Sequence, residues 1–276
     1  MNFEISARLK KKLKRPPPDP ARSITGRHED TGFKLAGTAD VIFDGAEMRN
    51  VQFSRQRFSQ FTVVGKSRFV NCDFSSCSFQ QALFSHTPQV VYEDCRFDDA
   101  KFGVVDPGQA RFESCSFIGT RIHEWFCTVA EFVDCSFAGR VEGSVFFGRP
   151  FGPGSESLDP PREINEFSGN DFSGCELTDT AFRMGIDLRG QQLPQGDKYI
   201  SLDKLGERTA IVAKEIANWD DPKARDLALA WVKGLAEDAA AGQDQLFAMR
   251  DDPFRRSVPK RIRDEVWSRL EEAVLA

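Results

Sequence analysis

Residues 72–84, CDFSSCSFQQALF, repeat with a period of five: Phe stands at positions 74, 79 and 84. A small residue precedes each Phe by two positions, at Cys72, Cys77 and Ala82. A period of five fits neither an α-helix, with about 3.6 residues per turn, nor a β-strand, whose side chains alternate. The stretch therefore indicates a repeat architecture in which only two of every five side chains point inward.

The same pattern extends over most of the middle of the chain. Of the 21 Phe between positions 43 and 182, 17 follow the five-residue series, and the exceptions are Phe61, Phe126, Phe146 and Phe151. Six of the seven cysteines take the small position, whereas Cys127 takes a Phe position. An aromatic-x-x-Cys-x-Phe pattern also recurs every twenty residues from Tyr92. A twenty-residue coil with four faces would stack Cys95, Cys115 and Cys135 in one column.

The stretches CDFSSCSFQQALF, CRFDDAKF, CSFIGTRI and NDFSGCELTDTAF resemble the pentapeptide-repeat family, whose unit is small-polar-Leu/Phe-x-x. The resemblance implies a mainly β fold, a right-handed four-sided β-helix, over residues 37–195. Six to seven coils at the usual strand spacing of about 4.8 Å would make a rod roughly 30 Å long. Two interruptions, near 85–91 and 148–164, predict outward loops that leave the rod unbroken.

The flanks differ from the repeat in composition and in periodicity. Residues 1–39 carry nine Lys and Arg against four Asp and Glu, residues 40–195 carry 14 against 22, and residues 196–276 carry 14 against 16. Residues 1–36 are predicted to form a basic N-terminal arm containing RLKKKLKR, suited to an anionic surface, a nucleic acid or an import receptor, or serving only as a solvated terminus. Residues 196–276 show helical spacing and predict three helices, the second capped by Asp221 before Pro222 and the third beginning near Ser257. They would cap the solenoid or form a homodimer.

Catalytic chemistry is not indicated, and the sequence predicts a non-enzymatic protein with no catalytic residue, cofactor or metal. His28, His86 and His123 form no HExxH motif, and no phosphate-binding glycine loop or nucleophile elbow occurs. Cysteines alternating with Phe suggest buried small residues rather than a zinc or redox site. An odd cysteine count, the lack of an apolar signal segment and the lack of 18 consecutive apolar residues predict a cytoplasmic protein without a membrane span.

The surface of the rod remains as the candidate functional feature. An acidic stripe is predicted on the face centred on Tyr92, Phe112, Phe132 and Phe172, opposed by Arg111. Its members are Glu93, Asp94, Glu113, Glu131, Asp134 and Asp171. Acidic residues can simply confer solubility. The family resemblance implies a further role, since some members imitate duplex DNA and bind the type II topoisomerases DNA gyrase or topoisomerase IV.

Two functions follow as alternatives. One is a protein-binding DNA mimic that protects or inhibits gyrase through the acidic stripe, with secondary contacts from Arg255, Arg256 and Arg261. The other is a scaffold or targeting module that presents the basic arm and the helical tail to separate protein partners. Direct binding of nucleic acid is expected only of the N-terminal arm.

Overall fold

The computed structural model describes residues 22–35, 37–152, 154–252 and 258–273. Most of them form a β-solenoid, followed by three helices. The strands are β1 (Arg22–Glu29), β2 (Thr38–Arg49), β3 (Arg57–Val64), β4 (Arg68–Val70), β5 (Ser78–Leu83), β6 (Val91–Glu93), β7 (Lys101–Asp106), β8 (Arg111–Glu113), β9 (Ser116–His123), β10 (Phe126–Cys127), β11 (Glu131–Val133), β12 (Ser136–Glu142), β13 (Val145–Phe147), β14 (Phe167–Ser168), β15 (Asp171–Thr178), β16 (Ala181–Arg183), β17 (Tyr199–Leu202) and β18 (Leu246–Met249). The helices are α1 (Leu205–Ile216), α2 (Pro222–Ala240) and α3 (Lys260–Glu272).

The solenoid strands pair in parallel with the strands one coil away, as the five-residue pattern predicts. The long ladder runs β14-β11-β8-β6-β4-β2-β3-β5-β7-β9-β12-β15, and β10-β13-β16 form a separate ladder. We name the four faces A to D by their inward residues. Face A contains Met48, Phe69, Tyr92, Phe112, Phe132 and Phe167; face B contains Phe53, Phe74, Phe97, Phe117, Phe137 and Phe172; face C contains Phe58, Phe79, Phe102, Ile122, Val141 and Leu177; face D contains Cys127, Phe146 and Phe182.

Stacked aromatic columns fill the interior. On face B, six Phe rings from Phe53 to Phe172 stack with centroid separations of 4.3 to 5.0 Å. On face A, Tyr92 lies between Phe69 and Phe112 at 4.8 and 5.0 Å, and its hydroxyl donates to the carbonyl of Phe84. Because each coil buries few side chains, these contacts between coils supply the continuous core that one coil lacks.

The five-residue series places most inward residues correctly, but it is wrong near face D. Phe61 and Phe146, which the series excludes, are 0% and 1% exposed. Phe147, which the series includes, points outward and is covered by Phe151, whose ring stacks on it at 5.2 Å. The two cases have different causes. Phe61 lies two residues before inward Val63, in the position that a small residue usually takes. Val141 follows Phe137 by four residues instead of five, which moves the next inward position from 147 to 146.

The solenoid begins earlier than residue 37. Strand β1 pairs with β2 from Arg22 to Glu29, so residues 22–29 form part of the β-structure and the predicted arm of residues 1–36 is shorter than expected. The basic run RLKKKLKR, at residues 8–15, lies outside the described residues.

Both predicted interruptions leave the repeat, but neither projects freely. The backbone N–H of Gln89 donates to the carbonyl of Asp159 at 2.7 Å, and Gln109 accepts a hydrogen bond from the N–H of Asp159 at 3.2 Å. Leu158 is 8% exposed, and the guanidinium of Arg162 donates to the carbonyl of Val129. The segment 148–164 therefore packs on the segment 85–91 and on face A, which corrects the expectation of two outward loops.

The C-terminal region joins the solenoid through a two-stranded antiparallel sheet of β17 and β18, where the sequence predicts helices alone. Tyr199 and Phe247 pack on the solenoid core, while Ile200 and Ala248 pack on the core of the three helices. The alternation of strand side chains thus lets one sheet bury both surfaces. Asp221 caps α2 as predicted, accepting from the N–H groups of Lys223 and Ala224.

The helices use their apolar faces within their own core. Val212, Ala228, Val232 and Val266 are at most 2% exposed. All large hydrophobic residues found exposed in the described parts of the chain lie in the solenoid or in segment 148–164. Capping by the helical region is therefore visible, whereas a homodimer through these helices stays a prediction. Among the described residues, no helix has the length and apolar character needed to cross a bilayer.

Candidate functional site

Arginine side chains neutralise much of the predicted acidic stripe on face A. Arg68 forms a short ion pair with Glu93. Arg111 contacts three carboxylates: its Nε lies 3.1 Å from Glu113, and its Nη1 lies 2.7 Å from Glu166 and 3.5 Å from Glu131. Burial alone would lower the pKa of Arg111, but its hydrogen bonds to Glu166 and Glu113 raise it. Glu93 and Glu113 are therefore partners of fixed cations on face A.

Glu131 is buried, which corrects the expectation that it faces outward. It is 5% exposed, and its Oε2 accepts from the side-chain amide of Gln89 at 2.7 Å. Its Oε1 accepts from the backbone N–H of Glu166 at 2.9 Å and lies 3.5 Å from Nε of Arg162. Burial lowers the pKa of Arg162, and its Nε and Nη1 make no hydrogen bond. Glu131 therefore ties segments 85–91 and 148–164 to the solenoid.

Asp94 and Asp134 do face solvent, at the corner where face A meets face B. Both have positive φ, 53° and 51°, as do Asn50, Asn71 and Ser114 at the same corner of other coils. Asn and Asp enter this left-handed conformation more readily than other non-glycine residues, so the coil geometry itself selects them here. The two carboxylates lie two coils apart, about 10 Å at the usual strand spacing.

Asp171 lies on face B and not on face A. The sequence pattern groups Phe172 with Phe132, but Phe132 pairs with Phe167, and Phe172 stacks on Phe137 at 4.3 Å. The coil from Phe132 to Phe167 is longer than twenty residues by fifteen, a multiple of five. The five-residue phase survives such an insertion, while the assignment to a face does not.

Face B and its two corners carry the more acidic surface, which we call the aspartate surface. Three of its members, Asp73, Asp98 and Asp99, lie outside the predicted stripe, because the sequence pattern places the stripe on face A. The aspartate surface consists of Asp73, Asp94, Asp98, Asp99, Asp134 and Asp171. Two cations lie on it, Arg55 and Arg96, and Nη2 of Arg96 is 3.6 Å from Asp73. On the coils from Phe53 to Phe172, six carboxylates against two guanidiniums leave a formal charge of −4. The preceding coil adds Asp30 and Lys34, one charge of each sign, which leaves the total unchanged.

Several carboxylates of the aspartate surface are held in place by backbone hydrogen bonds. Oδ1 of Asp98 accepts from the N–H of Ile118 on the next coil at 2.9 Å. Oδ1 of Asp73 and of Asp171 accept from the N–H two residues later, at 2.9 and 2.8 Å. The second oxygen of each carboxylate is thus presented in a fixed position on a rigid rod.

The predicted secondary contacts fall in two groups. Arg255 and Arg256 lie outside the described residues. Arg261 begins the exposed face of α3, with its side chain 82% exposed and its Nη2 3.7 Å from Asp221. Arg261 is remote in sequence and in fold from the aspartate surface, since it lies on the helical region beyond the last coil.

The cysteines occupy the interior. All seven are buried, and Cys95, Cys115 and Cys135 each direct their Sγ toward a backbone carbonyl of the preceding coil, at 3.3 to 3.5 Å. Burial raises the pKa of these three thiols well above its usual value, and raises that of Cys77 to about 12. Within the described ranges, no three His, Cys, Asp or Glu side chains converge in a geometry that could hold a metal ion.

Comparison with known proteins gives matches among solved structures only. No protein-family model and no curated protein matches the chain in sequence. Trypsin-treated QnrB1, a plasmid-mediated fluoroquinolone resistance protein, is 13% identical with a TM-score of 0.21, covering 63% of this chain and 79% of its own. HetL, a pentapeptide repeat protein involved in heterocyst differentiation regulation in the cyanobacterium Nostoc sp. strain PCC 7120, is 10% identical with a TM-score of 0.23, covering 68% and 88%. TM-scores this low transfer no function to this chain.

Proposed function

We propose that the protein is a non-catalytic binding protein that uses the aspartate surface to occupy a basic groove built for duplex DNA, with a type II topoisomerase as partner. The observation that carries the proposal is the charge of face B. Its six aspartates face two arginines, whereas Glu93, Glu113 and Glu166 on face A are paired with Arg68 or Arg111. The proposal therefore moves the functional surface from face A to face B.

Rigid placement of carboxylates favours such binding for an electrostatic reason. Duplex DNA carries about one negative charge per 1.7 Å of its axis, and proteins that bind it line their grooves with Lys and Arg. A rod that presents carboxylates at multiples of the coil spacing offers those cations anionic partners without an ordering cost at each side chain. The resulting attraction accelerates association and weakens as salt screens it.

The experiment compares charge-neutral variants in a gyrase binding assay. Asp94→Asn, Asp134→Asn and Asp171→Asn together remove three negative charges. Asn preserves the left-handed conformation at positions 94 and 134 and the Oδ1 acceptor at position 171. The matched control removes three charges from the helical region, by Glu207→Gln, Asp226→Asn and Glu237→Gln. These control residues are exposed and lie beside Lys204, Arg225 and Lys233.

We expect the aspartate-surface variant to lose at least about tenfold in affinity for gyrase at low salt and the control variant to keep its affinity. Equal losses in both variants would show an effect of net charge alone. If the wild-type protein binds gyrase and neither variant loses affinity, the contact lies elsewhere on the protein. No binding of wild-type protein to gyrase or topoisomerase IV would favour the scaffold function, in which the two ends of the rod engage separate partners.

A further inference from the structure

Face D carries an exposed apolar strip that no described residue covers. Phe126, 58% exposed, lies beside Val145 on the next strand, and Val145 lies beside Ala181. Phe151, 49% exposed, extends the strip by stacking over Phe147. Isolated apolar residues on a surface are ordinary, but adjacent ones on three neighbouring strands indicate a contact surface.

An acidic corner borders this strip. Each strand of the strip follows a corner residue by two positions, and these corner residues are Glu124, Gly143 and Asp179, all with positive φ. The side chain of Glu124 is 69% exposed, and Asp106, also exposed, acts electrostatically on Cys127 of the same face. A ligand that matches both features combines apolar side chains with cations.

The chain contains a segment of that composition. Residues 1–21 have six Lys and Arg against two acidic residues, together with Phe3, Ile5, Leu9 and Leu13. They join the described structure at Arg22, where β1 pairs with Val41 to Phe43 of β2. The outward-facing position of Ser23 is continued on the following coils of face D by Ile42, Thr62, Leu83 and Asp106. The segment therefore enters the solenoid on the face that carries the strip.

The distance is within reach of the segment. Phe126 lies five coils from Ser23, or about 24 Å at the usual strand spacing. Twenty-one residues span up to about 70 Å when extended. The chain length thus allows Phe3 to Leu13 to reach the strip on the same molecule.

We propose that residues 1–21 bind the apolar strip of face D in the same chain, with Phe3, Ile5, Leu9 and Leu13 contacting Phe126, Val145 and Phe151 and the cations facing Glu124 and Asp106. This contact is independent of the aspartate surface on face B. It gives the basic segment an intramolecular role, and any polyanion that captures the cations would compete with that role.

Photo-crosslinking in the full chain tests the contact directly. The photoreactive p-benzoylphenylalanine is placed at position 126, and a control places it at position 118, where Ile118 is 41% exposed on face B. We expect cross-links from position 126 to peptides of residues 1–21, with a yield that does not change on tenfold dilution, and none from position 118. Cross-links to the described part of a second copy, or equal yields from both positions, would overturn the proposal.

Proteolysis provides a second readout that needs no modified residue. Trypsin cleavage within residues 8–15 is compared between the wild-type protein and two variants, Phe126→Ser and Ile118→Ser. Each variant replaces one outward-facing side chain. We expect Phe126→Ser to be cleaved on the order of tenfold faster, because cleavage follows the population of the undocked segment. Ile118→Ser should match the wild type. Identical rates in all three proteins would contradict the proposal.

Discussion

Replacing Phe117 by Ala tests the aromatic column that builds the solenoid. Phe117 is 0% exposed and stacks between Phe97 and Phe137 at 5.0 Å from each ring. It also meets Phe112 and Trp125 edge-on at 5.6 and 6.1 Å. Truncation removes these contacts and a fifth, with Phe102 at 6.4 Å. It leaves a cavity in the middle of the rod, where neighbouring coils cannot collapse without breaking their ladder hydrogen bonds.

The expected loss is about 3–5 kcal/mol of unfolding free energy, the range for Phe-to-Ala changes in a close-packed core. Urea unfolding followed by far-UV circular dichroism measures it, and the melting temperature should fall by on the order of 10 °C. The control is Ile118→Ala, one residue further along the same strand, which points outward and should cost less than about 1 kcal/mol. If both variants lose the same stability, Phe117 does not belong to a continuous stacked core.

Three further predictions concern buried polar groups. Glu131→Ala should lower the free energy of unfolding in urea by about 3–5 kcal/mol, because Arg162 and Arg111 lose a buried partner. The double variant with Arg162→Ala should lose less stability than the sum of the two single variants, and additive losses would show that the pair is not coupled. Cys95, Cys115 and Cys135 should label with a thiol reagent only after unfolding, since burial keeps each thiol protonated, and rapid labelling of the native protein would contradict their placement. Burial raises the pKa of the Cys77 thiol to about 12, so above about pH 9 the unfolded state releases a proton that the folded state keeps. The free energy of unfolding should therefore fall between pH 9 and 12, by up to about 1.4 kcal/mol per pH unit from this group. Cys77→Ala should remove that share of the slope, and an unchanged slope would refute the burial of this thiol.

The sequence predicts the solenoid well because inward positions recur at a fixed spacing and Phe fills most of them. It assigns residues to faces less well, since an insertion of fifteen residues before Phe167 preserves the phase and changes the face. The ion pairs of Arg68 with Glu93 and of Arg111 with Glu131 and Glu166 are not predictable from the pattern, because they join residues on different coils whose register depends on that assignment. Strands β17 and β18 are four residues each, too short for their alternation to be separated from helical spacing.

The burial of segment 148–164 could not be predicted from its composition. Its Pro and Gly residues correctly indicate irregular backbone, but its packing depends on single contacts, such as that of Arg162 with Glu131. Conversely, the left-handed corners explain why Asp and Asn recur on the surface at coil spacing. Part of the acidity of the rod therefore comes from backbone geometry, and only a binding experiment separates that cause from a functional one.

Displacement of duplex DNA tests the central claim most directly. A fluorescently labelled duplex is bound to gyrase at low salt, and its anisotropy is followed while wild-type protein or the Asp94→Asn, Asp134→Asn, Asp171→Asn variant is added. Mimicry by the aspartate surface predicts that the wild type displaces the duplex, that displacement weakens as salt rises, and that the variant displaces it at least about tenfold less well. A duplex that remains bound at saturating wild-type protein, or equal displacement by the variant, would contradict it.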